Sequence, residues 1–478
     1  MSLSSILSTV LSHETSKDDL AGLLKTSPEA LNAFDKAYRE MAINADASVT
    51  GNAMDDMQRP KPADSISCDE HLENMIQRIA LGLAEKTELI TVENNVVIRE
   101  RYSEKTNEET PETTALRVPV SQEELISAPK TNRPQLTESL MHADLNGPSY
   151  PALMEMYQRY LNGKTPEERL RGYQIFRQGL DILDLDPVLY EMLGRNQNSM
   201  SHWLPELAAA NAGHGFFKIP RTVIAKVPLT LLQMSRLDYS SLTASTKRIV
   251  DIWAMRVFGL DTTKDYFIKT GTYSSKFDFR NARVTHGREV EELGEYLLFI
   301  QSQASQMAGP LVQPSIYGMS TTNEWVVREF IEDKEENPTI YKGMPLHTEY
   351  RVFVDFDSDE VLGITPYWRS DVMLKRFSQG AENSPHDYHD YVIYKAHEER
   401  LQSRYEANKD AVLEHIREMV PEVGLSGQWS IDVMQNGKDF WLIDMAQAAN
   451  SALNDVIPKD KLRAPSENWI PELNCTAE

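Results

Sequence analysis

Residues 427–453 read GQWSIDVMQNGKDFWLIDMAQAANSAL. Trp429, Ile431 and Val433 alternate with Ser430, Asp432 and Met434, as expected of a half-buried strand. Gln435-Asn436-Gly437-Lys438 supplies an Asn-Gly turn, and Phe440 to Ile443 return as a second apolar strand. The stretch therefore predicts a β-hairpin with Asp432 and Asp444 on neighbouring strands. Two carboxylates held together beside apolar residues repel each other and resist burial, which a divalent cation with phosphate oxygens would relieve. The alternative is a pair of solvated edge aspartates.

Upstream strands supply charges to meet those acids. In YFIKTGTYSSKFDFR (266–280), an apolar strand delivers Lys269, and a loop of small, hydroxylated residues from Gly271 through Ser275 leads to Lys276. Backbone N–H groups and hydroxyls in such a loop can surround phosphate oxygens, with the two lysines supplying positive charge. The loop is not a Walker A sequence. It also fails Lys-x-Asp-Gly, which excludes the pattern of an RNA-ligase-like adenylyltransferase. EWVVREFIE (324–332) predicts a strand with a charged end, read either as a hinge that presents backbone groups to a base edge or as a plain core strand. In HTEYRVFV (347–354), alternation puts Glu349, Arg351 and Phe353 on one face. VLGITPYWRSD (361–371) then returns as another strand.

Composition bounds the rest. At 478 residues the chain has room for roughly two to four domains. A formal charge of −23 argues against general nucleic-acid binding and against docking on an anionic membrane, so any phosphate site must be local. Cys68 and Cys475 are far apart, and His142, His202 and His214 are scattered, so neither set has metal-ligand spacing. The opening MSLSSILSTVLSHE lacks a basic leader region, and no stretch approaches the length of a membrane span. The expectation is a reduced, cytoplasmic protein.

Residues 1–102 are expected to form an accessory α+β module. It would comprise a helix with Leu72, Ile76, Ile79 and Leu83 at helical spacing, and two strands around Asn94-Asn95. Residues 103–134 are rich in Glu, Thr and Pro and are expected to be a flexible linker. Residues 135–201 carry helical periodicity and are read as a bundle segment, with the main α/β domain filling 202–478.

Taken together, the lysine strand with its loop, the hinge strand VVREFIE, the arginine strand TEYRVFV and the acids of SIDV and WLIDM resemble the ATP-grasp superfamily. Within it, the likeness is to the cell-division-cycle proteins that help assemble translation initiation factor two, over about residues 202–453. The resemblance implies an α+β fold: an ATP-grasp core of two α/β subdomains clasping a nucleotide, preceded by a mainly helical N-terminal region. It implies ATP and Mg²⁺ as cofactors. Lys269 and Arg351 would act on the phosphates as catalytic residues, and Gly271, Ser275 and Lys276 would form a mobile lid. Glu329 and Ile331 would flank the adenine, and Asp432 and Asp444 would hold the metal. The family's metal strand continues acid-x-Asn, whereas Asp444-Met445-Ala446 places alanine at the third ligand, leaving Gln447 or Asn450 to substitute. Two functions follow. The first is a ligase joining a small-molecule carboxylate to an amine through an acylphosphate; the second is a nucleotide-binding assembly factor for a protein client.

Overall fold

The computed structural model describes residues 16–44, 70–106, 113–119, 164–165, 168, 190, 193–194, 196–234, 242–307, 322–378 and 384–463. The fold is α+β, built on two antiparallel-rich sheets. The first sheet has seven strands in the order β3-β2-β1-β5-β8-β6-β7. These are β1 (Glu88–Glu93), β2 (Val96–Thr106), β3 (Thr113–Pro119), β5 (Thr222–Lys226), β6 (Tyr266–Thr270), β7 (Arg283–Val284) and β8 (Glu324–Glu329). The second has five, in the order β12-β11-β13-β14-β4, with β4 (Phe217–Lys218), β11 (Thr348–Asp355), β12 (Glu360–Pro366), β13 (Gln428–Asn436) and β14 (Asp439–Gln447). A two-stranded ribbon, β9 (Thr339–Ile340) with β10 (Met344–Pro345), lies between them in sequence.

The longer helices cover these sheets: α1 (Lys17–Lys25), α2 (Pro28–Asn44), α3 (Glu70–Ala84), α4 (Met200–Asn211), α5 (Ala244–Phe258), α6 (Leu293–Met307), α7 (Ser370–Ser378) and α8 (Pro385–Met419). Local chemistry sets their ends. Helix α5 begins where the Thr243 hydroxyl accepts the Thr246 N–H at 3.2 Å, and it stops at Gly259, whose φ of 60° is the left-handed cap that glycine adopts without a Cβ clash. Helix α8 begins with Ser384 capping Asp387 and Pro385 in the first turn. Helices α5 and α6 bury Trp253, Phe258 and Leu297 against Trp325 and Ile268 of the first sheet. Helices α4 and α8 bury Trp203 and Ile416 against Tyr350, Ile431 and Leu442 of the second.

Residues 70–106 do not form a module apart from the rest of the fold. Strand β1 pairs with β5 through Leu89↔Ala225 and Ile90↔Ile224, and α3 packs Ile76 and Ala80 on Ile249 and Ile252 of α5. Nor does a boundary fall at 102, since β2 runs through it. Within the expected linker, residues 103–106 and 113–119 form a ladder, Ser103↔Leu116 to Thr106↔Thr113. A polar strand at a sheet edge gains order from backbone hydrogen bonds, so composition alone misreads it. Residues 107–112 and 120–134 of that linker, and most of the expected bundle at 135–201, lie outside the described residues. Among the described residues, no helix is long and apolar enough to cross a membrane.

Candidate functional site

The two sheets face each other across a cleft lined by Phe267, Lys269, Ser274, Lys276 and Phe279 on one side and by Glu349, Asp432, Met434, Ile443 and Asp444 on the other. Arg328 to Ile331, at the end of β8 and just beyond it, also line the cleft. Its lining mixes charged side chains with apolar and aromatic ones.

Register builds a row of charges on the second sheet. Arg351 pairs directly with Asp432 across β11 and β13, and Asp432 pairs directly with Asp444 across β13 and β14. Directly opposed residues project from the same face, so three charges stand in a row on the second sheet. Arg351 donates from Nε and Nη2 to the two Asp432 oxygens at 2.8 and 2.7 Å, a bidentate pair. Its Nη1 donates to the Ala452 carbonyl at 3.1 Å, and the guanidinium lies over the Tyr367 ring at 4.6 Å. Burial works against the Arg351 charge, but Asp432 outweighs it and raises the pKa.

Lys269 comes from the other sheet. Its position on β6, opposite Val326 of β8, buries the side chain to 2% exposure while Nζ reaches Asp444 Oδ1 at 3.0 Å. Burial lowers the lysine pKa and Asp444 opposes the shift; for Asp444, burial raises the pKa and Lys269 outweighs it, leaving the carboxyl below its ordinary range. Lys276 sits over the Tyr367 ring at 4.4 Å and donates to its hydroxyl. Burial disfavours its charge, but Tyr367 and Glu349 hold the ammonium above its ordinary pKa.

The structure thus brings together Lys269, Lys276, Glu329, Ile331, Asp432 and Asp444 in the cleft lining; Arg351 is not itself in the lining but is paired with Asp432 and lies over the same Tyr367 ring as Lys276. The wall does not include Gly271 or Ser275; Ser274 stands there instead. Gly271 serves the base of the loop. Its N–H donates to the Glu324 carbonyl at 2.9 Å, and a Cβ there would come within 2.6 Å of Thr322 Oγ1 and 2.8 Å of Glu324 Oε2. The loop is also tied by Tyr273 N to Thr270 Oγ1, 2.9 Å, and by Thr270 N to the Tyr273 carbonyl, 2.8 Å. The Glu329 carboxylate is taken by Lys264 at 2.7 Å.

Two cleft residues went unassigned in the sequence. Arg328 is 4% exposed and ties the sheets together: Nε donates to Thr222 Oγ1 at 3.1 Å, and Nη1 donates to the Ile443 carbonyl of β14 at 2.5 Å. Burial lowers its pKa to about 10. Its charge within VVREFIE was visible, but the approach of β14 was not. Glu349 shares a face with Arg351, as alternation predicted, yet its burial depends on the sheet opposite. Burial, with Asp432 nearby, pushes its pKa up to about 7 against the pull of Lys276 and Arg351.

Glu349 carries a pH prediction. A folded pKa raised from 4.5 to about 7 means the folded state keeps a proton that the unfolded state loses. That contribution is fully present below about pH 4.5 and is lost as pH rises through about 7. Glu349→Gln is therefore expected to flatten the decline over that window and to be more stable than wild type at pH 8, by up to about 3 kcal/mol. Urea unfolding at pH 5 and pH 8 measures this; an equal difference between the two proteins at both pH values would refute it.

The donor set suits a hard divalent cation. Mg²⁺ in nucleotide sites is held through one or two carboxylates, with phosphates and water completing the shell, and Asp432 and Asp444 supply two adjacent carboxylates. Among the described residues, no group of three His, Cys, Asp or Glu side chains is placed to hold a metal alone. Ala446 opposes Ser430 and offers no side-chain ligand. The side-chain oxygen of Gln447 is buried without a hydrogen-bond partner among the described residues.

No family model matches the chain, and no curated protein matches it. Among solved structures it is similar to C-terminally truncated Cdc123 from Schizosaccharomyces pombe, with a TM-score of 0.34 and 10% identity over 57% of this chain and 96% of that one. It is also similar to Cdc123 from Schizosaccharomyces pombe, with a TM-score of 0.32 and 12% identity over the same shares of the two chains. Likeness at that level carries no functional argument, and the case for function rests on the cleft's own side chains.

Proposed function

We propose that the cleft binds ATP with Mg²⁺ in the manner of an ATP-grasp core, and that the bound nucleotide orders the protein to grip a protein client as an assembly factor. One observation carries the nucleotide reading: Lys269 and Arg351 are paired with two adjacent carboxylates, and Lys276 lines the same cleft, which also presents apolar and aromatic side chains from both sheets. Phosphates need the cations, a bridging metal needs the carboxylates, and a purine needs the slot formed by Phe267, Phe279, Phe330, Ile331, Met434 and Ile443. In this reading Lys269 and Lys276 hold phosphate oxygens, and Asp432 and Asp444 hold the metal. Bound Mg²⁺ would offset charge on the phosphates.

The choice of a binding role over catalysis rests on Ala446. With a side-chain ligand absent there, the protein supplies two carboxylates to the metal, which is enough to seat a magnesium nucleotide but holds the metal less rigidly than a third ligand would. The ligase reading, in which a carboxylate is phosphorylated and an amine then attacks, needs tight alignment of that metal with the transferring phosphoryl group.

The test is equilibrium titration of ATP in Mg²⁺ buffer, followed by a phosphate-release assay with and without a panel of small carboxylates and amines. Saturable binding with no release is the expected result. Release that appears on adding a small carboxylate would replace the assembly reading with the ligase. Failure to bind ATP or any other nucleoside triphosphate would defeat both.

A further inference from the structure

The nucleotide reading, on which this inference rests, leaves the cleft's charges with two sets of partners. Arg351, Asp432, Asp444 and Lys269 form a line of two ion pairs across the sheets, with a cation at each end and the two carboxylates adjacent between them. Both Asp432 oxygens are engaged by Arg351, at 2.8 and 2.7 Å. Asp444 Oδ1 takes the Lys269 ammonium at 3.0 Å and the Met445 N–H at 3.1 Å. The carboxylates that would meet a metal are therefore the groups that neutralise the cations meant for phosphate.

A triphosphate arriving alone must compete with Asp444 for Lys269, and it sets several negative charges beside two more. A divalent cation arriving alone must displace an ammonium and a guanidinium, leaving both buried without counterions. When the two arrive together, every pair that breaks is replaced: the carboxylates go to the metal and the cations to the phosphates. Lys276 and Arg328 lie outside this exchange, because among the described residues neither has a carboxylate at ion-pair distance, and both line the cleft. They supply the residual attraction for a metal-free nucleotide.

We propose that Asp432 and Asp444 are a charge gate as well as metal ligands, so that metal and triphosphate bind as one unit and the gate opposes nucleotide whenever the metal is missing. Such coupling is reciprocal: the factor by which Mg²⁺ tightens ATP equals the factor by which ATP tightens Mg²⁺. The gate has a consequence that a plain metal ligand lacks. Neutralising a gate aspartate should weaken magnesium nucleotide and strengthen metal-free nucleotide, so that the two affinities converge.

Isothermal titration of the full chain provides the test, with ATP added in EDTA or in excess Mg²⁺ and with Mg²⁺ added alone, for wild type, Asp432→Asn and Asp444→Asn. Asp432→Asn is the decisive variant, because the arginine it frees cannot shed its charge, whereas a lysine freed by Asp444→Asn can lose its proton. Wild type is expected to bind ATP about a hundredfold tighter with Mg²⁺ and to give no heat with millimolar Mg²⁺ alone. Asp432→Asn is expected to bind metal-free ATP about tenfold tighter than wild type and to gain less than about threefold from Mg²⁺. Wild-type affinity that ignores Mg²⁺, or an Asp432→Asn protein that is folded at the assay temperature and binds metal-free ATP no tighter, overturns the gate and leaves the nucleotide reading standing. Absence of binding under every condition defeats the nucleotide reading itself, and the gate with it.

Discussion

Asp35→Ala is expected to cost about 3–5 kcal/mol of stability, because it breaks a buried ionic network on one side only. Asp35 lies on α2 at 1% exposure and is used by two other parts of the chain. Its Oδ1 accepts the Thr339 hydroxyl at 2.7 Å and contacts His389 Nε2 at 3.1 Å, while Oδ2 accepts the Thr339 N–H at 3.1 Å. The other ring nitrogen, Nδ1, lies 3.0 Å from Asp390 Oδ1, and Asp390 Oδ2 accepts the Tyr341 N–H at 3.0 Å. The imidazole is stacked on Tyr38 at 3.7 Å, and Arg39 approaches Asp35 at 3.3 Å. Burial disfavours the imidazolium, but the two carboxylates outweigh it and raise the His389 pKa. The sign follows. This contribution is fully present below about pH 6.5, the unfolded value, and is lost as pH rises through the raised folded value. Without Asp35, the Thr339 N–H and one face of the imidazolium stay buried and unanswered. Urea unfolding at pH 6 and pH 9 compares wild type with Asp35→Ala and with Asp35→Asn, which keeps the shape and one acceptor oxygen but loses the charge and the second acceptor. The expected order at pH 6 is wild type, then Asn, then Ala, with the gaps narrowing at pH 9. A loss under about 1 kcal/mol for Ala, the same at both pH values, would show that the network does not hold α2 in place.

That network marks where reading the sequence runs out. The 427–453 hairpin was legible because a period of two and an Asn-Gly turn together fix the register of adjacent strands. The turn forms with Gly437 at φ 64°, and Asp432 does stand opposite Asp444. The irregularity after Asp432 was not legible, since nothing in Asp432-Val433 signals a bulge. The lysine and arginine strands were readable for the same local reason. What failed were partnerships set by distant chain. Asp35 and His389 are 354 residues apart, each on a helix whose own pattern is ordinary. Arg328 looked like the charged end of a strand until β14 crossed it. Polar composition in 103–119 spoke to how little those residues could bury, and the strand there needs little burial because its ladder to β2 satisfies the backbone. Gly271 was read for what its backbone could offer phosphate, whereas its missing side chain makes room for Thr322 and Glu324.

Lys269→Ala is expected to weaken binding of magnesium ATP about ten- to hundredfold, the loss of a charge-assisted phosphate contact worth roughly 1.5–3 kcal/mol. The ammonium is delivered at the end of a buried strand with its side chain 3% exposed, so no water-filled shell stands ready to replace it. Alanine also frees Asp444, but a bound metal takes that charge, and the net effect with Mg²⁺ present is the lost phosphate contact. Lys276→Ala gives the useful comparison. Lys276 is held by the rings of Tyr367 and Trp368, at 4.4 and 5.9 Å, and among the described residues has no carboxylate at ion-pair distance to release, so its removal should weaken nucleotide with and without Mg²⁺ by similar factors. Removing Lys269 should hurt mainly where Mg²⁺ has drawn Asp444 away from it. Thermal unfolding with and without ATP separates binding from damage to the fold, because a ligand at about a hundred times its dissociation constant adds about 2.7 kcal/mol. At the concentration that gives this in wild type, a hundredfold weaker variant gains about 0.4 kcal/mol, whatever its stability without ATP. A Lys269→Ala protein that keeps both wild-type affinity and the full ATP-induced shift would take Lys269 out of the site and move the phosphates away from Asp444.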